Sequence, residues 1–188
     1  MSAMSESPTT TLGMLSAPQQ REMLWSDARH TVYALILGAR IPGLRARFTQ
    51  DAVDDWDGLW TGELDADERV KAPVLVTLRR DSPFTDWLLD EAAADFGAWG
   101  AIALSSLPFL AMRMHGRVLC KAQLPNGQAI RIDWMDPEVM EALLPVASPD
   151  QLQRVFSGVD ALITLAPGRW TRWTRSPAGL AREIHGVK

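Results

Sequence analysis

Four short apolar runs recur along the chain, and each has the length of one β-strand. They are rich in β-branched residues and carry apolar side chains at consecutive positions, which is typical of a strand that is covered on both faces. We therefore predict strands at His30–Leu37, Pro73–Leu78, Trp99–Leu104 and Val159–Leu165.

A hairpin is predicted between the third and fourth of these runs. Asn126-Gly127 separates two segments of alternating polarity, Arg117–Leu124 and Gln128–Trp134. An Asn-Gly pair in this setting is the strongest short signal for a tight turn between antiparallel strands.

Helices are indicated by a repeated pair, a capping residue followed directly by proline. The cap oxygen accepts a hydrogen bond from a free backbone N–H, and proline at the first helical position loses no hydrogen bond. The pairs are Ser82-Pro83, Asp136-Pro137, Ser148-Pro149 and Ser176-Pro177. We also predict helices from Pro18 to Trp25 and over residues 105–115, the latter with Leu107, Leu110, Ala111 and Met114 on one side and Gly116 at its end.

Strands that alternate with helices predict an α/β (α+β) fold, namely a mixed sheet with one inserted hairpin and flanking helices in a single compact lobe. Residues 44–71 show no clear periodicity. Residues 1–17 are rich in Ser and Thr and aperiodic, so we expect a disordered tail there and a single domain over residues 18–188.

The charge balance argues against a nucleic-acid-binding protein, because Lys and Arg supply much of the affinity for phosphates. The chain has 188 residues and a formal net charge of −4. Residues 169–188 differ, with five basic residues and one acid, and we interpret residues 166–188 as a short basic C-terminal extension. One cysteine, no signal-peptide pattern before Ala17 and no apolar run of spanning length predict a cytoplasmic protein without membrane insertion.

No motif for catalysis, a cofactor or a metal is evident. Glycine-rich phosphate loops and nucleophile elbows are missing, and the acidic stretch around Asp55 lacks carboxylates at the first and last positions of a calcium loop. Cys120 shares an apolar strand face, where a thiol is inert. His115 and His185 precede glycines and are interpreted as helix caps, whereas His30 receives no role. Scattered carboxylates such as Asp133 and Asp136 leave a small hydrolase-like enzyme as an alternative.

The most suggestive segment for binding alternates arginine with tryptophan near the C-terminus. It contributes Arg169, Trp170, Arg172, Trp173 and Arg175. These residue types are enriched at protein interfaces, and they can also bind single-stranded nucleic acid by stacking and charge. The remaining interpretation is a terminal strand that places Trp170 or Trp173 in the core. As candidate site residues we take all five to form a partner-binding surface.

The order of landmarks along the chain is more specific than any single motif. Four segments carry it: Tyr33–Arg40 (YALILGAR), Ala72–Leu78 (APVLVTL), Trp99–Ser106 (WGAIALSS) and Trp134–Pro145 (WMDPEVMEALLP). This succession resembles the adaptor and chaperone family of bacterial type VI secretion, the Tap or TEC type, over about residues 31–165. Leu37 stands where the family's first strand usually has an aspartate.

The resemblance implies a non-enzymatic adaptor in the cytoplasm. Such a protein binds a type VI effector and helps load it onto the VgrG spike, sometimes with a PAAR tip. The helical lobe that often follows the family's core is expected to be absent or much reduced here, because the chain ends soon after Leu165. The matched positions are mostly apolar and capping residues, so the resemblance assigns no contact residues.

Overall fold

A mixed eight-stranded sheet forms the centre of the molecule in the computed structural model, which describes residues 9–187. Its strand order is β1-β10-β9-β8-β5-β2-β4-β3. All neighbours pair antiparallel except β1, which runs parallel to β10. The strands are β1 (Thr9–Leu15), β2 (Thr31–Ile36), β3 (Trp56–Gly58), β4 (Val74–Leu78), β5 (Gly100–Ser105), β8 (Val159–Ala166), β9 (Arg169–Ser176) and β10 (Gly179–Val187).

The four predicted buried strands are confirmed as β2, β4, β5 and β8, which lie side by side in the middle of the sheet. Successive side chains point to opposite faces, so each strand contributes to two cores. In β2, Ala34 and Ile36 belong to one core, and Tyr33 and Leu35 belong to the other. Both faces are covered, which is why these strands are apolar throughout.

Helices cover the two faces of this sheet and occupy most of the connections. They are α1 (Ala17–Trp25), α2 (Leu44–Gln50), α3 (Ala66–Lys71), α4 (Pro83–Leu89), α5 (Glu91–Phe96), α6 (Phe109–Leu119), α7 (Pro137–Leu143) and α8 (Pro149–Val155), with 3₁₀ turns at Gly38–Arg40 and Leu144–Val146. Three cap–proline pairs begin helices as predicted, at α4, α7 and α8. Asp136 accepts a hydrogen bond from the Glu138 N–H, and Ser148 accepts one from Gln151.

The helix predicted after Ser176-Pro177 is wrong. Pro177 and Ala178 form a tight turn between β9 and β10, in which the Ala178 N–H donates to the Ser176 hydroxyl. Ser and Pro favour turns as strongly as helix starts, and the pairing of β9 with β10 decides between them here. Leu180 and Ile184, which show helical spacing, therefore lie in a strand.

The disordered tail predicted for residues 1–17 is also wrong over Thr9–Leu15, because these residues form β1 at the sheet edge. Residues 1–8 lie outside the described part of the chain. The basic extension over residues 166–188 is an integral part of the sheet rather than an appendage, since it supplies β9 and β10. The helix predicted from Pro18 to Trp25 is confirmed as α1.

The predicted hairpin exists but is shorter and separate from the large sheet. β6 (Lys121–Gln123) pairs with β7 (Ala129–Arg131) as an isolated two-stranded sheet. Residues 117–119, expected in its first strand, belong to α6. Gly116 lies inside this helix and does not end it. A Cβ at Gly116 would come within 3.1 Å of the Leu59 side chain, so glycine here allows close packing.

Within residues 9–187, we find no helix of the length and apolar character needed to cross a membrane.

Candidate docking surface

The helix α6 presents three chemically different faces. One face is buried and contains Met112 and Gly116. A second face carries Arg113 and Arg117, which both form ion pairs with Asp57 of β3. The third face is apolar and points outward.

That third face consists of one residue from each of three successive turns. Leu110, Met114 and Val118 are 59%, 51% and 52% exposed. Side chains four residues apart lie on the same side of a helix, so these three form a continuous apolar line. An exposed apolar line of this kind is more informative than scattered exposed side chains, because it is typical of a binding site.

A groove lies beside this line, between α6, the β6–β7 hairpin and the segment from α7 to α8. It has a volume of about 790 Å³. Its apolar lining includes Val118, Leu119, Ala122, Ile132, Leu143 and Val146. A second cavity of about 600 Å³ adjoins it and shares Val118, Leu119 and Arg154. We call these two cavities, together with the exposed line of Leu110, Met114 and Val118, the α6 groove.

His115 anchors α6 to α8 beside the groove. Its Nε2 lies 2.9 Å from the Val155 carbonyl oxygen, to which a neutral ring with a proton on Nε2 can donate. Burial lowers the pKa of His115, and the hydrogen bond to Val155 opposes this only in part. The ring is therefore neutral at pH 7. The prediction that His115 caps a helix end is wrong, since α6 continues to Leu119.

Two cations border the larger cavity. Lys121 begins β6 and Arg154 lies in the last turn of α8, and both are exposed. Neither side chain forms an ion pair or a hydrogen bond with any residue in the described range 9–187. The lining of this cavity contains no acidic residue among those described.

A family model described as "Domain of unknown function (DUF4123)" matches residues 32–154, which is well over half of the chain. The chain belongs to this family. No curated protein and no solved structure matches it. The DUF4123 region runs from β2 into α8, so it includes α6 and the β6–β7 hairpin and excludes β1, β9 and β10.

The Arg/Trp segment lies outside the DUF4123 region and does not form the exposed surface that its composition suggests. It is β9, paired with β8 on one side and β10 on the other. Trp170 is 3% exposed and Trp173 is 0% exposed, and they lie in the two opposite cores. The prediction that both tryptophans bind a partner is therefore wrong for the folded chain. The same burial leaves neither indole available to stack on the bases of a nucleic acid. The alternative of a strand that buries tryptophan is confirmed, although β9 is not terminal, since β10 follows it and pairs with it.

The arginines of β9 mostly have partners within the protein. Arg169 donates to Glu141 of α7 at 2.7 Å, and Arg172 donates to Glu183 of β10 at 3.0 Å. Arg175 is exposed at the end of β9, close to the turn into β10. Of the five candidate residues, Arg175 is the one that remains accessible without breaking an ion pair between described residues.

Of the groups considered for catalysis, Cys120 and Asp136 are held in structural roles. Burial raises the pKa of the Cys120 thiol to about 12, with a further contribution from the charge of Asp133, so the thiol stays protonated. Burial also raises the pKa of Asp133, while the neighbouring Trp60 indole opposes this. Asp136 caps α7 and accepts a hydrogen bond from Arg40 at 2.7 Å. The prediction that Cys120 is a core residue is confirmed, although it caps α6 rather than lying in a strand.

Two of the remaining candidates for ion binding form contacts within the protein. Asp51 pairs with Arg47 at 2.6 Å, and His30 lies 3.0 Å from Asp160. His185 is buried in β10, so its predicted role at a helix end is wrong. Among residues 9–187, no three His, Cys, Asp or Glu side chains are grouped as metal ligands.

Sequence reasoning missed the α6 groove because it grouped Leu110 and Met114 on one side of a helix without predicting that this side is exposed. Leu110 and Met114 are exposed, and the buried positions are Met112 and Gly116. One signal was available: apolar residues occur on more than one side of residues 107–119, which is more than a single buried face needs.

Proposed function

We propose that this chain is a non-enzymatic adaptor that binds a type VI secretion effector in the cytoplasm and helps load it onto the VgrG spike. Membership of the DUF4123 family and the resemblance described above support this assignment. The observation that carries it is the α6 groove, an apolar surface that is open to solvent and lies almost entirely within the family-matched region.

The groove suggests how such an adaptor would hold its effector. Leu110, Met114 and Val118 offer apolar area at the centre of the surface, and burying such area contributes about 25 cal/mol per Å². Polar and charged groups surround this area and would orient the partner, as at the rim of most protein interfaces. An apolar segment of the effector would be kept from aggregating while it is bound.

The environments of Cys120 and Asp136 support a role without catalysis. A neutral Cys120 thiol is a poor nucleophile, and Asp136 is already held by Arg40 and by its cap. Neither residue lines the two cavities of the α6 groove.

Co-expression with the effector and the VgrG protein encoded beside this gene tests the proposal. The unaltered chain should co-purify with both and should raise the soluble yield of the effector. The variant Leu110→Gln/Met114→Gln/Val118→Gln should lose the effector, because glutamine retains the helix propensity while removing the apolar line.

The matched control is Val70→Gln on α3. Val70 is 57% exposed and also lies on a helix, but it is outside the α6 groove. This variant should bind normally. An effector that is equally soluble and equally well secreted in cells lacking this chain would contradict the adaptor function.

A further inference from the structure

The charge of the α6 groove is opposite to that of the protein around it. The chain carries a net charge of −4, yet the ionisable side chains that line the larger cavity are Lys121 and Arg154. The adjoining cavity adds His115 and a single acid, Asp150. Burial lowers the pKa of His115, so His115 is not counted as a cation, and Lys121 and Arg154 still outnumber the single acid.

The other cations near the groove already have partners within the protein. Arg113 and Arg117 share Asp57, and Arg131 pairs with Glu68 at 2.8 Å while its guanidinium lies over the Trp60 ring. Lys121 and Arg154 differ from them, since neither forms an ion pair within residues 9–187. Their charges are thus available to a molecule that enters the groove.

We propose that the α6 groove binds an acidic apolar segment of the effector, in which two or three apolar side chains contact Leu110, Met114 and Val118 and flanking carboxylates pair with Lys121 and Arg154. This inference rests on the proposed adaptor function and specifies the chemistry of the partner. Apolar contact supplies affinity, and the two cations select against neutral and basic segments.

A matched pair of substitutions at one exposed position gives the sharpest test. Val118→Glu and Val118→Lys remove the same apolar group from α6 and introduce side chains of similar helix propensity but opposite charge. In a pull-down of the co-expressed effector, Val118→Glu should weaken capture by about tenfold more than Val118→Lys. Equal losses in the two variants would overturn the proposal, as would unchanged capture by both.

Charge reversal at the two cations provides an independent test. The double variant Lys121→Glu/Arg154→Glu should weaken effector binding by about tenfold at low ionic strength, and the difference should shrink as salt is added. Arg69→Glu is the control, because Arg69 is an exposed cation on α3 outside the groove. A double variant that binds as tightly as this control would contradict the proposed role of Lys121 and Arg154.

Overlapping peptides from the effector then identify the bound segment directly. The peptides retained by the unaltered chain should carry net negative charge and at least two apolar residues, and retention of basic peptides would overturn the proposal. If the unaltered chain captures the effector but the groove variants do so equally well, the adaptor function stands and this inference fails. If the unaltered chain does not capture the effector at all, both fail.

Discussion

The strand β9 and the helix α6 both combine apolar and basic residues, yet the structure uses them in opposite ways. In β9, Trp170 and Trp173 are buried, and Arg169 and Arg172 pair with glutamates. In α6, the arginines pair with Asp57 while an apolar line is left in solvent. Residue types that are typical of interfaces are therefore not sufficient to locate one.

The difference follows from what surrounds each element. β9 has a strand on both sides, and its side chains alternate between two covered faces, so a tryptophan is buried wherever it falls. α6 packs on one side only and leaves an arc of its surface free. On such a helix, apolar residues beyond the packed arc remain exposed.

The largest loss of stability is expected from Trp173→Ala, which tests whether β9 is a core strand. Loss of a fully buried indole should lower the free energy of unfolding by about 3–5 kcal/mol. The indole N–H also donates to the Thr164 hydroxyl at 3.3 Å, and the Arg182 guanidinium lies over the ring. Urea denaturation measures the change, with Arg175→Ala as the neutral control. A loss below about 1 kcal/mol would show that β9 is not a core strand.

A smaller loss of stability is expected when the Asp57 carboxylate, which pairs with the two arginines of α6, is removed. Asp57→Asn would leave Arg113 and Arg117 close together without a counter-charge, and we expect a destabilisation of about 1–2 kcal/mol after allowing for partial exposure. Asp55→Asn is the control, because its contact with Arg79 is 3.9 Å long and exposed on both sides. Equal unfolding midpoints for the two variants would argue against this anchor of α6.

The contact between α6 and α8 should make stability depend on pH. Because burial lowers the pKa of His115 below its usual 6.5, the unfolded chain binds this proton more readily. The contribution of His115 to the free energy of unfolding is therefore fully present above pH 6.5 and declines as the pH falls below that value. We expect His115→Gln to lower the free energy of unfolding by more at pH 7.5 than at pH 5.5. Parallel pH profiles would show that His115 does not titrate in this way.

The smallest change in stability is expected on the apolar face of α6. Replacement of Leu110, Met114 and Val118 by glutamine should alter the free energy of unfolding by less than about 1 kcal/mol, since these positions are already exposed. Binding of a hydrophobic dye to the native protein should fall. A large loss of stability would mean that the three side chains are packed within the protein, and the docking surface would have to be sought elsewhere.

The sequence predicted the centre of the fold well and its ends poorly. The buried runs at β2, β4, β5 and β8 and the capped helices α4, α7 and α8 were recognised because their signals are local. β1 and β10 were missed, since β1 is exposed and β10 follows a Ser-Pro pair that resembles a helix start. β1 becomes a strand only by pairing with β10 at the other end of the chain, and β10 does so by pairing with β1 and with the preceding strand β9.

By itself, the sequence determined the fold class, the burial of Cys120 and the order of landmarks that places the chain in its family. Only the tertiary structure decided which apolar residues remain outside, burying the tryptophans of β9 and leaving the line on α6 open. The reason is that composition and periodicity describe one segment at a time. Exposure depends instead on which neighbours pack against that segment, and these come from distant parts of the chain.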